Sequence, residues 1–454
     1  MALLQAAPDH AAFALPPGSR SRKRSAMSPP PATLHPGYAP HAEAPATRRA
    51  RALDRVGAGL LVALPLAMWL ANRSATLVLG LSAIAFLAAL WLRGGHRGLL
   101  ERVRGALASP VGLAIVAFLL WSLVSLGWSH RPAQGLAMWG EFALPLACGL
   151  VIALSGGLRP EIRLSRALAI SLTLACALIM VELASGLSQR AQLGIGRPYG
   201  FIFNRPVLTC VVLMAAALPP LLHHGATRRA DRALAIVLVS SVGALAIVAD
   251  SGAAVLGFGI MLLIWALALL APRLTLALVA LGFVATMALA PVLGLLANSA
   301  LPPALHKTLA QSHTRERVAI WLSFGEAIRA RPLIGSGFGA SAALDSHPVA
   351  RHVAPLHREM LAVGHPHSAP MQAWVETGIA GAACLAFAGL VLLGRLRHLP
   401  ARALAPRLAL FAMALGVASV AHGAWQGWWI AALAAGAALL WTGLDQNDQA
   451  KKDQ

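Results

Sequence analysis

One polar stretch, Asn298–Pro370, holds nine of the chain's residues that could grip an anion or move a proton in close order: Arg315, Arg317, Arg329, Arg331, His347, His352, His357, His365 and His367. Arginine offers a planar, permanently charged fork that fits phosphate and carboxylate oxygens. Histidine, with an unperturbed pKa of about 6.5, gives and takes a proton near neutrality. Together they suit a transfer in which arginines stabilise a leaving phosphate and a histidine takes a proton. A connection of this length inside a compact chain is usually functional. A second polar segment, Ser188–Arg205, adds Arg190, Arg197 and Arg205 around the run Gly196–Asn204 (GRPYGFIFN).

Within the long stretch, Thr314–Arg331 has the apolar spacing of an amphipathic helix, with Val318, Trp321, Phe324 and Ile328 on one stripe. Arg317 lies one turn before Trp321 on that face, and no acid stands beside it at helical spacing, so an external anion is a reasonable partner. The plainer reading is a side chain that snorkels to water. That plainer reading suits Arg190 and Arg205 better than Arg197, which sits in a tight loop between Gly196 and Pro198. Pro332–Ser341 (PLIGSGFGAS) is glycine-rich enough to let backbone N–H groups approach a phosphate. It lacks a nucleotide-binding pattern, and most such turns only end helices. His365–Pro366–His367 precedes the next apolar run, where a histidine can serve as general base.

A metal site is the alternative for the five histidines of His347–His367. Their spacing matches no zinc-protease pattern, carboxylates are scarce (Asp345, Glu359, Glu376), and the chain has no DxD. The expectation is therefore no metal and no cofactor. Cys148, Cys176, Cys210 and Cys384 all fall inside apolar runs without a CxxC pair, so neither a disulfide framework nor a zinc site is indicated.

The elements that must position these groups are membrane helices. The chain is 58% hydrophobic and 12% charged, with a mean hydropathy of +0.68, against about 25% charged for a soluble domain. Runs long enough to cross a bilayer fall at 55–72, 74–92, 111–128, 136–154, 167–187, 206–223, 233–249, 252–271, 274–296, 371–393, 403–421 and 425–443, twelve in all. The expected fold is an all-α polytopic membrane protein. It has a disordered basic tail (1–52), nine spans (53–297), a long loop carrying short helices (298–370), three spans (371–443) and a short tail (444–454).

The net charge of +20 does not point to nucleic acid, because no basic face with interleaved aromatics exists. The cations sit instead in alternate connections: the tail, Arg93–Arg104, Arg159–Arg166, Arg228–Arg232, Arg273, Arg395–Arg407 and Lys451–Lys452. By the positive-inside rule both termini are cytoplasmic, and both polar segments lie on the far side. Trp425, Trp428 and Trp429, near the last external loop, read as an interfacial aromatic anchor.

In this order and topology the residues resemble the O-antigen ligases, with their relatives the O-antigen polymerases and protein O-oligosaccharyltransferases. The marks run from about Leu113 to Phe387: Trp128–Ser129 with Pro132; Gly200-x-x-x-Asn204; Arg317-x-x-x-Trp321; Pro332–Gly337; and His367 with Gln372, Glu376 and Gly378. The chain departs from the family at Asn204–Arg205–Pro206 (often Asn-Pro-Asn), at His367–Ser368 (often His-Asn) and at Ser251–Gly252–Ala253 (often Ser-Arg-Gly). The resemblance implies a transferase of the bacterial inner membrane with a periplasmic site. It would move a glycan from an undecaprenyl-pyrophosphate donor to lipid A–core oligosaccharide or another glycan acceptor. The family's functional arginines and histidine map onto Arg197, Arg317 and His367. Arg315, Asn204, His365, Gln372 and Tyr199 are the candidates for substrate contact. A transporter of lipid-linked glycan is the rival from another class. Transporters place polar groups and broken helices at mid-membrane, whereas here the polar residues collect in external loops.

Overall fold

The computed structural model describes residues 45–159, 161–194, 199–223, 228–300 and 314–452. Most of the expected tail, and Arg197 with it, lie outside the described residues. The helix boundary does differ from expectation. Helix α1 (Pro45–Leu70) starts inside the expected tail, and Arg48–Arg51 ride on its first turns. Then come α2 (Ala75–Leu92), α3 (His96–Ala108), α4 (Pro110–Ser125), α5 (Pro132–Leu154), α6 (Ile162–Ala184), α7 (Ser188–Gln192) and α8 (Asn204–His223). They are followed by α9 (Arg229–Val248), α10 (Gly252–Leu270), α11 (Pro272–Leu289) and α12 (Leu293–Ala300). The long polar stretch holds α13 (Thr314–Ala330) and α14 (Pro355–Arg358), and after it come α15 (Ala369–Leu396), α16 (Ala401–Val420) and α17 (Gly427–Lys452).

Among the described residues, 11 helices are long and apolar enough to cross a membrane, and the twelfth expected span corresponds to a shorter apolar helix, Gly427–Trp441, at the start of α17. Leu77, Ile84, Leu120, Ile170 and Leu278 stand exposed on the outside of the bundle. A large exposed apolar surface of this kind belongs in lipid. The protein is a multi-pass membrane protein. Helix α8 is its axis: Val207, Cys210, Val211, Val212, Leu213 and Met214 are all buried, as a helix apolar on every side must be. The connection Arg93–Arg104 is mostly α3. Ser109 Oγ then accepts from Gly112 N at 3.2 Å, and Pro110 occupies the first position of α4, a sharp N-terminal stop between the two helices.

The long polar stretch is a folded cap with its own core: Phe324 and Ile328 of α13 pack with Leu344, Val349, Val353, Leu361, Met371 and Val375. Its turns are pinned locally. His347 Nδ1 accepts from Val349 N at 3.0 Å, and Glu326 accepts from Ala354 N at 2.7 Å and from His357 Nδ1 at 2.8 Å.

The glycine-rich turn Pro332–Ser341 clips this cap onto α15. Ser336 N and Gly337 N donate to the carbonyls of Val375 (2.8 Å) and Glu376 (2.9 Å). Helix α15 breaks at Gly378, whose φ is +65°. Trp121 of α4 donates to the freed carbonyl of Thr377 at 2.8 Å, and Ile379 N donates to Pro332 at 2.9 Å. A Cβ on Gly378 would stand 2.3 Å from the Leu333 oxygen, and one on Gly335 2.5 Å from the Glu376 oxygen. The glycines therefore serve backbone-to-backbone contact. Here their N–H groups are spent on the protein.

Two expectations about side chains change. Trp425, Trp428 and Trp429 are buried. Trp425 donates to Glu376 Oε2 at 2.7 Å and packs against Phe118, Phe142 and Phe338. Trp425 lies in the turn before α17 and Trp428 and Trp429 on its first turn, all turned into the protein, so they do not anchor the lipid interface. Arg190 is also buried and does not snorkel. Its guanidinium donates to the Leu70 carbonyl at 3.2 Å and to that of Trp69, at the C-terminal end of α1, where a cation complements the unpaired carbonyls.

Candidate active site

Two cap residues meet at the C-terminal end of α16. Arg317, on the first turns of α13, donates from Nη1 to the carbonyl of Val420 at 2.5 Å. His367, in the turn before α15, uses Nδ1 toward the next carbonyl, that of Ala421, at 2.9 Å. These are end-of-helix carbonyls without intrahelical partners, hence ready acceptors. A third bond fixes the distance between the two elements: Trp321 Nε1 donates to the Pro366 carbonyl at 3.0 Å.

A carbonyl only accepts, so His367 carries its proton on Nδ1, and Nε2 presents a lone pair. The residue holds a left-handed backbone, φ +51°. Non-glycine residues in that region cost of order 1–3 kcal/mol and collect at functional sites. His367 N donates to His365 Nδ1 at 3.3 Å, and the two rings lie edge to face with centroids 4.3 Å apart. His365 therefore carries its proton on Nε2 when neutral. Burial, then the neighbouring His367 and His422, push its pKa down to about 4, so it is neutral at physiological pH. Arg317 is half-buried, and burial lowers its pKa; among the described residues no carboxylate pairs with it.

The remaining expected contacts separate. Arg315 is exposed on α13, one residue from the buried stripe. Tyr199 is exposed and stacked on Phe201, centroids 5.3 Å apart. Asn204 begins α8, with Oδ1 buried and lacking a hydrogen bond among the described residues. Gln372 is buried under the site with both ends of its amide engaged: Nε2 donates to Glu376 at 2.9 Å, and Oε1 accepts from Ala424 N at 2.8 Å. That amide, expected to meet substrate, instead holds the α16–α17 turn against α15. Glu376 accepts again from Gly339 N at 2.8 Å.

Sequence reasoning missed His422. It lies in the same turn, buried against the rings of Trp428 and Trp429 at 5.3 and 4.8 Å. Nδ1 donates to Gly423 O at 3.0 Å, and Nε2 is buried without a partner among the described residues. Burial holds its pKa at about 4. A histidine in so short an external connection was the available signal. Of the other histidines, His347 pairs with His130 edge to face at 5.0 Å, away from His367. Among the described residues no three His, Cys, Asp or Glu side chains gather as a metal-holding group.

Residues 234–386, from α9 to the middle of α15, match the O-antigen ligase family model. Over that range the chain is similar to the O-antigen ligases. The matched range contains Arg317, His365, His367, Gln372, Glu376 and Gly378, while Asn204 and His422 stand outside it. A protein of Rickettsia felis named as a candidate polysaccharide ligase is 26% identical over 385 residues, 78% of this chain and 91% of that one. The likeness to known proteins therefore extends beyond residues 234–386 to most of the bundle.

Proposed function

We propose that this protein transfers a glycan from an undecaprenyl-pyrophosphate carrier to lipid A–core oligosaccharide, at the periplasmic face of the bacterial inner membrane. A ligase-type role in polysaccharide biosynthesis goes with the family domain and with its relative; the donor, acceptor and orientation are our reading. One observation carries it: a guanidinium and an imidazole with its basic nitrogen free hang from neighbouring carbonyls, Val420 and Ala421.

In this reading Arg317, with Arg197, takes the diphosphate of the donor. The acceptor hydroxyl attacks the anomeric carbon, its proton passing to Nε2 of His367. The bond from that carbon to the phosphate oxygen breaks, with its electron pair going to the diphosphate. The guanidinium groups stabilise that charge as it develops, and inversion at the anomeric carbon is the simplest outcome. Carbonyl anchoring keeps both groups oriented before substrate arrives, so little reorganisation is left to the reaction itself. A polar site at the end of the bundle suits a transferase better than a transporter, whose site belongs near mid-membrane.

The test mixes purified protein with carrier-linked glycan and lipid A–core, with and without chelator. A ladder on lipid A–core that survives chelator is expected. Longer glycan still on the carrier would assign a polymerase. Movement of the carrier across liposomes without any product would assign a transporter.

A further inference from the structure

The turn that holds Arg317 and His367 continues to a third cation, which neither the family domain nor the roles above use. Arg205 opens α8, at a position where this chain departs from the family's pattern. Its guanidinium lies over the Trp428 ring, 5.7 Å from the centroid. Trp428 is itself fixed, donating to Gln426 Oε1 at 2.6 Å and packing on His422. Arg205 is half-buried, yet among the described residues its guanidinium has neither a hydrogen bond nor an ion pair. Among the described residues, Arg73 and Glu141 are the charged groups within electrostatic reach. Arg73 is exposed in the α1–α2 connection, and that connection is tied to the base of α8 by Asn72 Nδ2 donating to Ile202 O at 3.0 Å. Arg205 over its aromatic floor thus has one further cation and one carboxylate within electrostatic reach, and His422, packed on the same tryptophan, is neutral at physiological pH.

A partly desolvated guanidinium without a partner is costly unless an anion completes it. Along the turn the order is Arg317 on Val420, His367 on Ala421, then His422 against the tryptophan that carries Arg205. Arg205 therefore reaches this turn through Trp428 and His422, whereas Arg317 reaches it through Val420. We propose that Arg205 and Arg73 form an acceptor subsite for an anionic substituent of the acceptor glycan, a phosphate ester or a carboxylate. The assignment to the acceptor rests on the transferase reading, with the leaving diphosphate at Arg317. The pair binds and orients; no bond is made or broken there.

The experiment measures KM for donor and acceptor separately with purified full-length protein. Its acceptors are lipid A–core in native form, stripped of phosphate, and with its carboxyls reduced. Removing the responsible group should raise the acceptor KM roughly tenfold or more, the scale of a lost charge-assisted contact. Arg205→Gln should raise the native acceptor's KM by a similar factor, erase the difference between native and stripped acceptor, and leave the donor KM unchanged. Glu141→Gln should lower the acceptor KM. Equal KM for all three acceptors with the wild-type protein would overturn the proposal. So would an Arg205→Gln protein whose donor KM rises while its acceptor KM holds. If the wild-type protein forms no product at all, the transferase reading fails by itself. Binding of phosphorylated or uronate oligosaccharide, followed by tryptophan fluorescence, then decides the subsite. Binding lost in Arg205→Gln keeps it, and no binding to the wild type removes it.

Discussion

Trp321 and Pro366 are joined by a single hydrogen bond from indole to carbonyl, 3.0 Å long, and this bond couples the arginine helix to the histidine turn. Trp321→Phe keeps most of the ring volume and removes only the donor. The expected result is a fall in kcat of roughly tenfold, since small misplacements of reacting groups are expensive, with donor KM little changed. Unchanged kcat would show that the packing of α13 alone sets the geometry.

His367→Ala should lower kcat by about 10²–10⁴-fold, the usual contribution of general-base catalysis, and leave donor binding in place. Single-turnover kinetics beside a binding measurement with carrier-linked glycan separates the two. Loss of donor binding in this variant would move His367 from proton transfer to substrate grip.

Arg317→Lys retains the charge but not the fork that reaches the Val420 carbonyl and a phosphate together. Donor affinity and turnover should both fall, by about tenfold or more. Arg317→Ala should do worse. Normal turnover in the alanine variant would remove Arg317 from the mechanism.

Gly378→Ala and Gly335→Ala each drive a methyl group into backbone, 2.3 Å from Leu333 O and 2.5 Å from Glu376 O, at positive φ. Each should cost about 2 kcal/mol or more, read as a lower apparent Tm in detergent. Gly59→Ala, whose Cβ meets nothing within 4 Å, is the matched control and should change Tm little.

Three histidines with native pKa values of about 4, His347, His365 and His422, give stability a definite pH dependence. Each is lowered from 6.5, so the unfolded chain binds protons that the folded one refuses. The stabilisation is complete above pH 6.5 and is lost as pH falls toward 4. Apparent Tm should drop across that window, and His347→Asn should flatten the drop. A Tm flat from pH 7 to pH 4 would mean that these rings are hydrated.

Hydropathy made the bundle legible, because span length and apolar content are local properties of the chain. Val318, Trp321, Phe324 and Ile328 likewise announced α13 by spacing alone. What sequence could not supply was pairing across distance. Nothing local distinguishes Trp425 in a buried bond to Glu376 from a tryptophan at a lipid interface, since the side chain suits both. Arg190 was misread for the same reason: its partners, Trp69 and Leu70, are more than a hundred residues away. The glycines of Pro332–Ser341 have composition suited to phosphate, and only the proximity of Gly378 shows their N–H groups already committed. At the site, Arg317 and His367 could be picked out as chemically suitable residues, but their shared anchorage on α16 is a product of the fold.

The break in α15 has a practical consequence. Carbonyls freed near Gly378 are taken up by the cap turn and by Trp121, so the cap is stitched into the bundle through main-chain atoms. The segment bearing Arg317 and His367 is thus no detachable soluble module, and excised as a peptide it would lose the bundle contacts that shape it. Solubilising agents that part α4 from α15 would blunt the reactive groups well before any helix melts. For this protein the choice of detergent or nanodisc belongs among the reaction conditions, alongside buffer and temperature.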